Sequence, residues 1–272
     1  MPDFLTEMLQ TSLVRARATR ERVDVVDLQS QAASAPSSLP LRLDASGFDV
    51  IAEAKLASPS EGRLVDDDAG RTVVSLAESY ARDGAVAVSV LTEPDRFAGS
   101  LEDLKAVVDA VDAPVMRKDF LVDPIQVVEA RAAGASGVLL IARMLPDEVL
   151  EEMTDLAISH GMFVLVEVFD RSDLEKAATV FDRDVLVGVN CRDLATLEID
   201  RSRFETLAPH LPDHLPAVAE SGITAPEHVA TAAALGYRMA LVGSTLVSDP
   251  DPGAKLGRFL AAGREARTGV SS

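Results

Sequence analysis

Asp49-Val-Ile-Ala-Glu-Ala-Lys-Leu-Ala-Ser-Pro-Ser-Glu-Gly62 begins as an apolar run and then sets an acid and an amine two residues apart. Residues two apart share a strand face, so Glu53 and Lys55 point the same way from the end of a buried strand. Ser58-Pro59-Ser60 and Gly62 then end that strand in a polar turn. A charged pair at the mouth of a hydrophobic strand is costly unless it is well paired or put to use. Taken alone, the pair also reads as a structural ion pair. The pattern on either side of it decides between the two.

Seven further apolar runs follow, at 85–91, 114–118, 137–142, 163–168, 184–190, 216–220 and 239–243, after the first at 48–55. Amphipathic stretches of helix length separate them, at 70–83, 100–112, 123–133, 146–160, 171–180, 200–209, 224–235 and 251–263. Asp123-Pro124, Pro146-Asp147 and Thr224-Ala-Pro226 are helix starts, and Gly84, Gly134, Gly161 and Gly236 stand where helices should stop. Strands alternating with helices in this number predict a (β/α)8 TIM barrel of the α/β class. A doubly wound open sheet is the competing architecture. No strand leads into Gly-x-Gly-x-x-Gly, so dinucleotide binding has no support. Residues 1–31 carry a charged helical pattern and 32–41 read as a linker. The expected division is an N-terminal helical extension and linker over 1–46, a barrel over 47–266 and a tail over 267–272.

Composition narrows the partners. The 272 residues carry a formal charge of −18, which disfavours nucleic acid and anionic membrane surfaces. A single cysteine, Cys191, excludes an intrachain disulfide and a cysteine metal cluster. The start has no basic region followed by a sustained apolar stretch, and no apolar run reaches spanning length, so a cytoplasmic location is expected. Only five of the 26 basic residues are lysine, and two of those, Lys55 and Lys118, end apolar strands. A compact, titratable amine is what lysine offers over arginine.

In a barrel the site lies at the C-terminal ends of the strands. Those ends carry Glu53 with Lys55, Thr92-Glu93, Lys118-Asp119, Arg143, Glu167, Asn190 with Arg192, Glu220-Ser221-Gly222 and Gly243-Ser244. Amines, carboxylates, an amide and guanidinium groups at one rim favour a site over scattered ion pairs. Gly222, Gly243 and Ser244 follow the last two strands, the usual barrel position for a phosphate held by backbone N–H groups. The same glycines also read as plain turns. His160, His210, His214 and His228 fall in helices or loops, so neither histidine acid–base chemistry nor a histidine metal site is expected. Ser58, Ser60, Ser221 and Ser244 have no adjacent base to activate them. Cys191 reads as a small packing residue.

These pieces together resemble the indole-3-glycerol phosphate synthase family. The resemblance rests on Ile51-Ala-Glu-Ala-Lys with Ser58-Pro-Ser60, Val90-Leu-Thr-Glu-Pro-Asp with Phe97-Ala-Gly-Ser100, and Met116-Arg-Lys-Asp-Phe-Leu121. It continues through Gly134-Ala, Val138-Leu-Leu-Ile141, Leu165-Val-Glu-Val168, Gly188-Val-Asn-Cys-Arg-Asp-Leu194, Ala219-Glu-Ser-Gly-Ile223 and Leu241-Val-Gly-Ser244. It implies a barrel whose N-terminal extension caps the site. It also implies a small anionic sugar phosphate as substrate, 1-(2-carboxyphenylamino)-1-deoxyribulose 5-phosphate. Ring closure, decarboxylation and dehydration would proceed without a metal or an organic cofactor.

By resemblance Lys118 is the general acid of ring closure. Lys55 neutralises the departing carboxylate, and either lysine is open as proton donor for dehydration. Glu53 is the base of the dehydration, Glu167 and Asn190 position the anilino nitrogen, and Glu220 holds sugar hydroxyls. Ser58, Gly222, Gly243 and Ser244 would hold the phosphate. Arg192 and Ser221 complete the polar shell, and Phe97, Phe120 and Leu139 line the aryl pocket. A lysine acid working at neutral pH calls for a lowered pKa, by burial or a neighbouring cation, while nearby carboxylates push it back up; two lysines and several glutamates at one rim can set both.

Four positions depart from the family pattern. Leu56 and Glu61 stand where basic residues are usual, Phe169 where histidine is frequent and Cys191 where a second asparagine is frequent. Arg143 is a candidate to restore the missing positive charge. Competing readings are a paralogue acting on a related anilino sugar phosphate, a non-catalytic phosphate-binding barrel, and a phosphoribosyl isomerase. The last is weakened by the lack of an Asp or Cys pair at the relevant strand ends. A monomer or weak oligomer is expected.

Overall fold

The structure, a computed structural model, describes residues 4–43, 47–58, 62–63, 71–194 and 196–270. Eight parallel strands close a barrel in chain order: β1 Asp49–Ala54, β2 Ala87–Leu91, β3 Val115–Lys118, β4 Gly137–Ile141, β5 Phe163–Val168, β6 Leu186–Asn190, β7 Ala217–Glu220 and β8 Met239–Val242. The barrel shuts through β1 against β8, with Ile51 paired to Leu241. Every expected apolar run contains one of these strands, each trimmed by at most two residues at an end. The strands are buried along almost their whole length, as parallel strands covered on both faces must be.

The helices outside the barrel are α3 Val73–Arg82, α5 Leu101–Ala110, α6 Pro124–Ala132, α7 Asp147–Ser159, α8 Arg171–Ala177, α9 Ser202–Leu207, α10 Pro226–Ala234 and α12 Pro252–Val270. Their starts are chemically marked. Thr72 with Ser75 and Asp123 with Gln126 form capping boxes, and Ser100 and Asp170 cap α5 and α8. Gly84 and Gly134 end α3 and α6 at φ of 96° and 92°, a region open to glycine at little cost.

Four elements were not anticipated. One-turn helices α4 (Pro94–Phe97) and α11 (Ser244–Val247) sit directly after strand ends, and Ala57–Ser58 pairs antiparallel with Gly62–Arg63. The N-terminal pattern is two helices, α1 Phe4–Arg22 and α2 Val25–Ser34, broken where Asp24 caps the second. α2 takes in residues 32–34 of the expected linker because Leu28 and Ala32 bury against Ile125 and Val128 of α6. The last helix runs to Val270, beyond the expected 263. Among the described residues no helix is long and apolar enough to cross a membrane.

α1 is pinned to the mouth of the barrel. Its Ser12 hydroxyl donates to the Phe120 carbonyl and accepts from Gln126 Nε2 at 2.9 Å. Arg15 reaches Asp119 at 2.7 Å and Glu93 at 3.5 Å, and Thr19 donates to Glu129 at 2.7 Å. Asp119 is the hub: it also takes the Thr92 hydroxyl at 2.7 Å, Arg117 Nη2 at 3.2 Å and the Phe120 N–H at 2.8 Å. Burial would push its carboxyl up, but Arg117 and Arg15 hold it below the usual carboxylate range. The hub fixes the backbone that follows Lys118, and the Phe4 ring meets the Phe120 ring edge-on with centroids 5.8 Å apart.

Asp119→Ala leaves the buried Arg117 guanidinium with Glu129 alone, at 3.3 Å, and removes the acceptor shared by Thr92, Arg15 and the Phe120 N–H, so it should cost about 3 kcal/mol. Arg15→Ala leaves the hub otherwise bonded and should cost about 1 kcal/mol. Urea unfolding of the two variants measures the gap, and equal losses would contradict this hierarchy.

Candidate active site

The strand ends converge on one cavity of about 350 Å³, within the range of small-molecule sites. Glu53, Lys55, Lys118, Glu167, Asn190 and Glu220 all line it, as do Phe97, Phe120, Leu139, Arg192, Ser221, Gly222, Gly243 and Ser244. Ser58 ends the short antiparallel strand next to β1; its side chain lies outside the described residues, as do Ser60 and Glu61.

Glu53 stands at the centre. Lys55 Nζ lies 2.5 Å from one of its oxygens and Lys118 Nζ 3.6 Å from the other. Burial would raise its pKa, yet the two ammonium groups hold it below the usual carboxylate value. The room for this carboxylate comes from Gly243, because any Cβ there would overlap Glu53 Oε1 and approach its Cβ at 3.2 Å.

Lys118 corrects an expectation. A lowered pKa was anticipated, and burial does act that way. Glu53, Glu167 and Glu220 together outweigh it, and the amine is pushed up to about 12. Three facing carboxyl groups keep the ammonium charged throughout the neutral range. Glu220 behaves oppositely: burial first, then the neighbouring Glu167, raises its pKa well above the usual carboxylate value, with Lys118 only partly compensating.

Past β6 the chain folds back on itself. Asp193 N–H donates to Glu198 O and Leu197 N–H to Asp193 O, each at 2.8 Å, and Arg192 bridges Ile199. Asn190 Oδ1 accepts the Arg192 N–H at 2.9 Å, and the Arg192 guanidinium donates to Leu197 O at 3.0 Å. This turn brings Leu194, Leu197 and Ile199 to the cavity wall. Those three and Phe4 of α1 were not among the expected site residues, whereas Asp119 was expected at the rim beside Lys118. Loop and extension residues carry no strand-end signal.

After β7, Ser221 and Gly222 both adopt left-handed backbone, with φ of 65° and 70°. The conformation is uncommon for serine, and strain of this kind concentrates at functional sites. A Cβ at Gly222 would meet Ile199 Cγ2 at 2.8 Å, so glycine is required where this turn passes the β6 loop. Gly243 and Ser244 face the same side of the cavity from β8 and α11.

Arg143 does not supply charge to this cavity. Its guanidinium lies 4.5 Å from the Phe169 ring centroid and pairs with Asp170 and Asp173 at 2.5 and 2.6 Å, facing a separate cavity beneath α1. Cys191 is fully buried and its thiol is pushed up to about 12, so it packs rather than reacts. His228 is nearer the rim than expected: its Nδ1 accepts the N–H of Thr224, a cavity residue, at 3.2 Å. Among the described residues no three His, Cys, Asp or Glu side chains are grouped to hold a metal ion.

Residues 5–259 match the family model for indole-3-glycerol phosphate synthase. Curated proteins called indole-3-glycerol phosphate synthase are similar along most of their length. One from Nocardioides sp. is 51% identical over 210 residues, 76% of this chain and 78% of that protein. One from Methanopyrus kandleri is 44% identical over 248 residues, 90% of this chain and 96% of that protein. A solved structure of thiamine phosphate pyrophosphorylase from Pyrococcus furiosus shares the fold, with a TM-score of 0.56 at 15% identity, over 81% of this chain and 97% of that one. The family match spans the barrel and every strand end described above, and the chain belongs to the indole-3-glycerol phosphate synthase family.

Proposed function

We propose that this chain converts 1-(2-carboxyphenylamino)-1-deoxyribulose 5-phosphate to indole-3-glycerol phosphate, a decarboxylating lyase step of tryptophan biosynthesis. The observation that carries the reading is the convergence of Lys55 and Lys118 on Glu53. They share a cavity with apolar rings at one side and the Gly222, Gly243 and Ser244 backbone at another.

The substrate brings a phosphate, a carboxylate and an aryl ring. Backbone N–H groups at Gly222, Gly243 and Ser244 suit the phosphate, and the proposal counts Ser58 among the phosphate-holding residues. Phe97, Phe120 and Leu139 suit the ring. In ring closure the aryl carbon bearing the carboxylate forms a bond to the ketone carbon, and the carbonyl electron pair moves to oxygen. Lys118 Nζ gives that oxygen a proton. The high pKa of Lys118 keeps this proton in place, and an alkoxide is a stronger base than the amine left behind, so transfer remains downhill. Carbon dioxide then leaves, and its bonding pair restores the aromatic ring; Lys55 offsets the carboxylate charge until that point. In the dehydration Lys55 protonates the departing hydroxyl and Glu53 accepts the proton lost from the ring system. Glu167 and Asn190 orient the anilino nitrogen as positive charge develops on it, and Glu220 binds sugar hydroxyls. Arg192 and Ser221 complete the polar wall.

The cation balance fits this assignment without Arg143. Among the described residues Lys55, Lys118 and Arg192 are the cations of the cavity lining, and phosphate binding falls largely to backbone N–H groups. The reading includes residues 1–46 as an extension capping a barrel over 47–266, a cytoplasmic location, a monomer or weak oligomer, and no nucleic-acid partner; the net charge of −18 supports the last.

A fluorescence assay for the indole product tests the reading. The wild type should turn over the carboxyphenylamino-deoxyribulose phosphate, and Lys118→Ala should lose about 10²- to 10⁴-fold in kcat, the usual worth of a general acid. A folded wild type without turnover would contradict it. Phosphate-ligand binding alone would then indicate a changed substrate, and no binding a non-catalytic barrel. Lys55→Ala gives a second check. Lys55 lowers the pKa of Glu53, so its loss must raise that pKa and move the acid limb of the residual activity to higher pH. An unmoved limb would separate Glu53 from the acid limb.

A further inference from the structure

Gly188 lies in the middle of β6, its backbone in register with Glu167 on β5, while Asn190 of the same strand is in register with Glu220 on β7. The inward-facing side chains of the three strands meet where Gly188 has none. A Cβ at Gly188 would overlap Glu220 Oε1 and stand 3.1 Å from Glu220 Cδ and 3.0 Å from Leu165 Cδ1. The Glu220 carboxyl therefore occupies the gap that glycine leaves in the barrel wall. Because Gly188 is in register with Glu167, the carboxyl in that gap faces the Glu167 side chain of the neighbouring strand.

The pair is dry. Glu167 and Glu220 are 2% and 1% exposed. Among the described residues no N–H or O–H donor reaches either Glu220 oxygen or Glu167 Oε2. Two carboxylates facing each other cannot both stay ionised in such surroundings, and a buried carboxylate without donors is costly on its own. One proton between them removes both penalties. We propose that Gly188 is a positioning residue that seats Glu220 against Glu167 so that the two carboxyls hold a single shared proton.

Charge balance makes the arrangement useful to the activity proposed above, on which this role rests. Glu53, Lys55 and Lys118 contribute one negative and two positive charges. A pair carrying one proton contributes a single negative charge, so the five groups sum to zero before substrate enters. Losing the proton adds a negative charge beside the place where an anionic substrate must bind. Among the described residues, the charged groups of the cavity lining around the pair are Glu53 at the end of β1 and Lys55 just after it, Lys118 of β3 with Asp119 after it, whose carboxylate is paired with Arg117 and Arg15, and Arg192 beyond β6. β2, β4 and β8 turn only uncharged side chains towards the cavity, Leu91, Leu139 with Ile141, and Leu241. Deprotonation of the pair should therefore define the alkaline limb of kcat/KM, below the range in which Lys118 loses its own proton.

Infrared difference spectra of the ligand-free protein at neutral pH read the shared proton without turnover. The wild type should show the C=O stretch of a protonated carboxyl, absent from both Glu220→Gln and Gly188→Ala. Kinetics read its consequence. Glu220→Gln keeps a neutral side chain in the gap: kcat/KM should fall about tenfold and the alkaline limb should move up by more than about one pH unit. Gly188→Ala displaces the carboxyl by roughly an ångström and should lose about 10²-fold. A role confined to packing would lower the melting temperature of Gly188→Ala and leave the limb of Glu220→Gln where it was. The proposal is overturned if the wild type shows no protonated-carboxyl band that Glu220→Gln removes, or if the limb does not move. Should Gly188→Ala fail to fold, Glu220→Gln still decides. A wild type that shows the band but no turnover would keep the shared proton and discard the substrate.

Discussion

The carboxylate of Glu53, clasped by Lys55 and Lys118, is the contact around which the barrel mouth is arranged. An ionised carboxylate this deeply buried is tolerated only while both cations face it. That requirement reaches into the backbone. Gly243 must lack a side chain for Glu53 to fit, and β1 must close against β8 in the register that brings the two together. The same charges then govern their neighbours: Glu53 helps keep Lys118 protonated, and Lys118 limits how far the pKa of Glu220 can rise.

A second network holds this cluster in place from behind. Asp119 follows Lys118 in sequence but commits its carboxylate to a buried set with Arg117, Thr92 and Arg15. One residue thus faces the cavity while the next anchors the strand end to α1, which delivers Phe4 to the cavity wall. The N-terminal extension is joined to the site by charge pairs, a serine bond to the Phe120 carbonyl and a ring contact, so loosening α1 should be felt at the aryl wall. The reading of the site as one working unit, rather than a rim of separate ion pairs, depends on this coupling.

The strands were legible because parallel barrel strands are short apolar runs, and the polar residues closing them were legible because few others, such as Ser89 and Arg117, interrupt those runs. Glu53, Lys55, Lys118, Glu167, Asn190 and Glu220 lie together for that reason. What was hidden depends on distance through space. Leu194, Leu197 and Ile199 line the cavity only because the chain after β6 doubles back. α4 and α11 are single turns, too short to show a period. The opposing pulls on Lys118 were legible in the rim carboxylates, but their balance was not, because it depends on three carboxyl groups from three different strands facing one amine. Arg143 stands at a strand end like the others, but Asp170 and Asp173, at the cap and first turn of α8, draw it outward. Gly188 looked like an ordinary strand residue until the carboxyl that fills its empty place was seen.

The central claim is that facing carboxyl groups, not burial, set the protonation of Lys118. Nitrogen-15 NMR of the Lys118 ammonium, assigned by comparison with Lys118→Arg and followed through an alkaline titration of the ligand-free protein, tests it directly. The account predicts an ammonium that persists well past the pKa of a free lysine, and an earlier deprotonation when Glu53→Gln removes the nearest carboxylate. Deprotonation near neutral pH in the wild type, or a midpoint indifferent to Glu53→Gln, would contradict it.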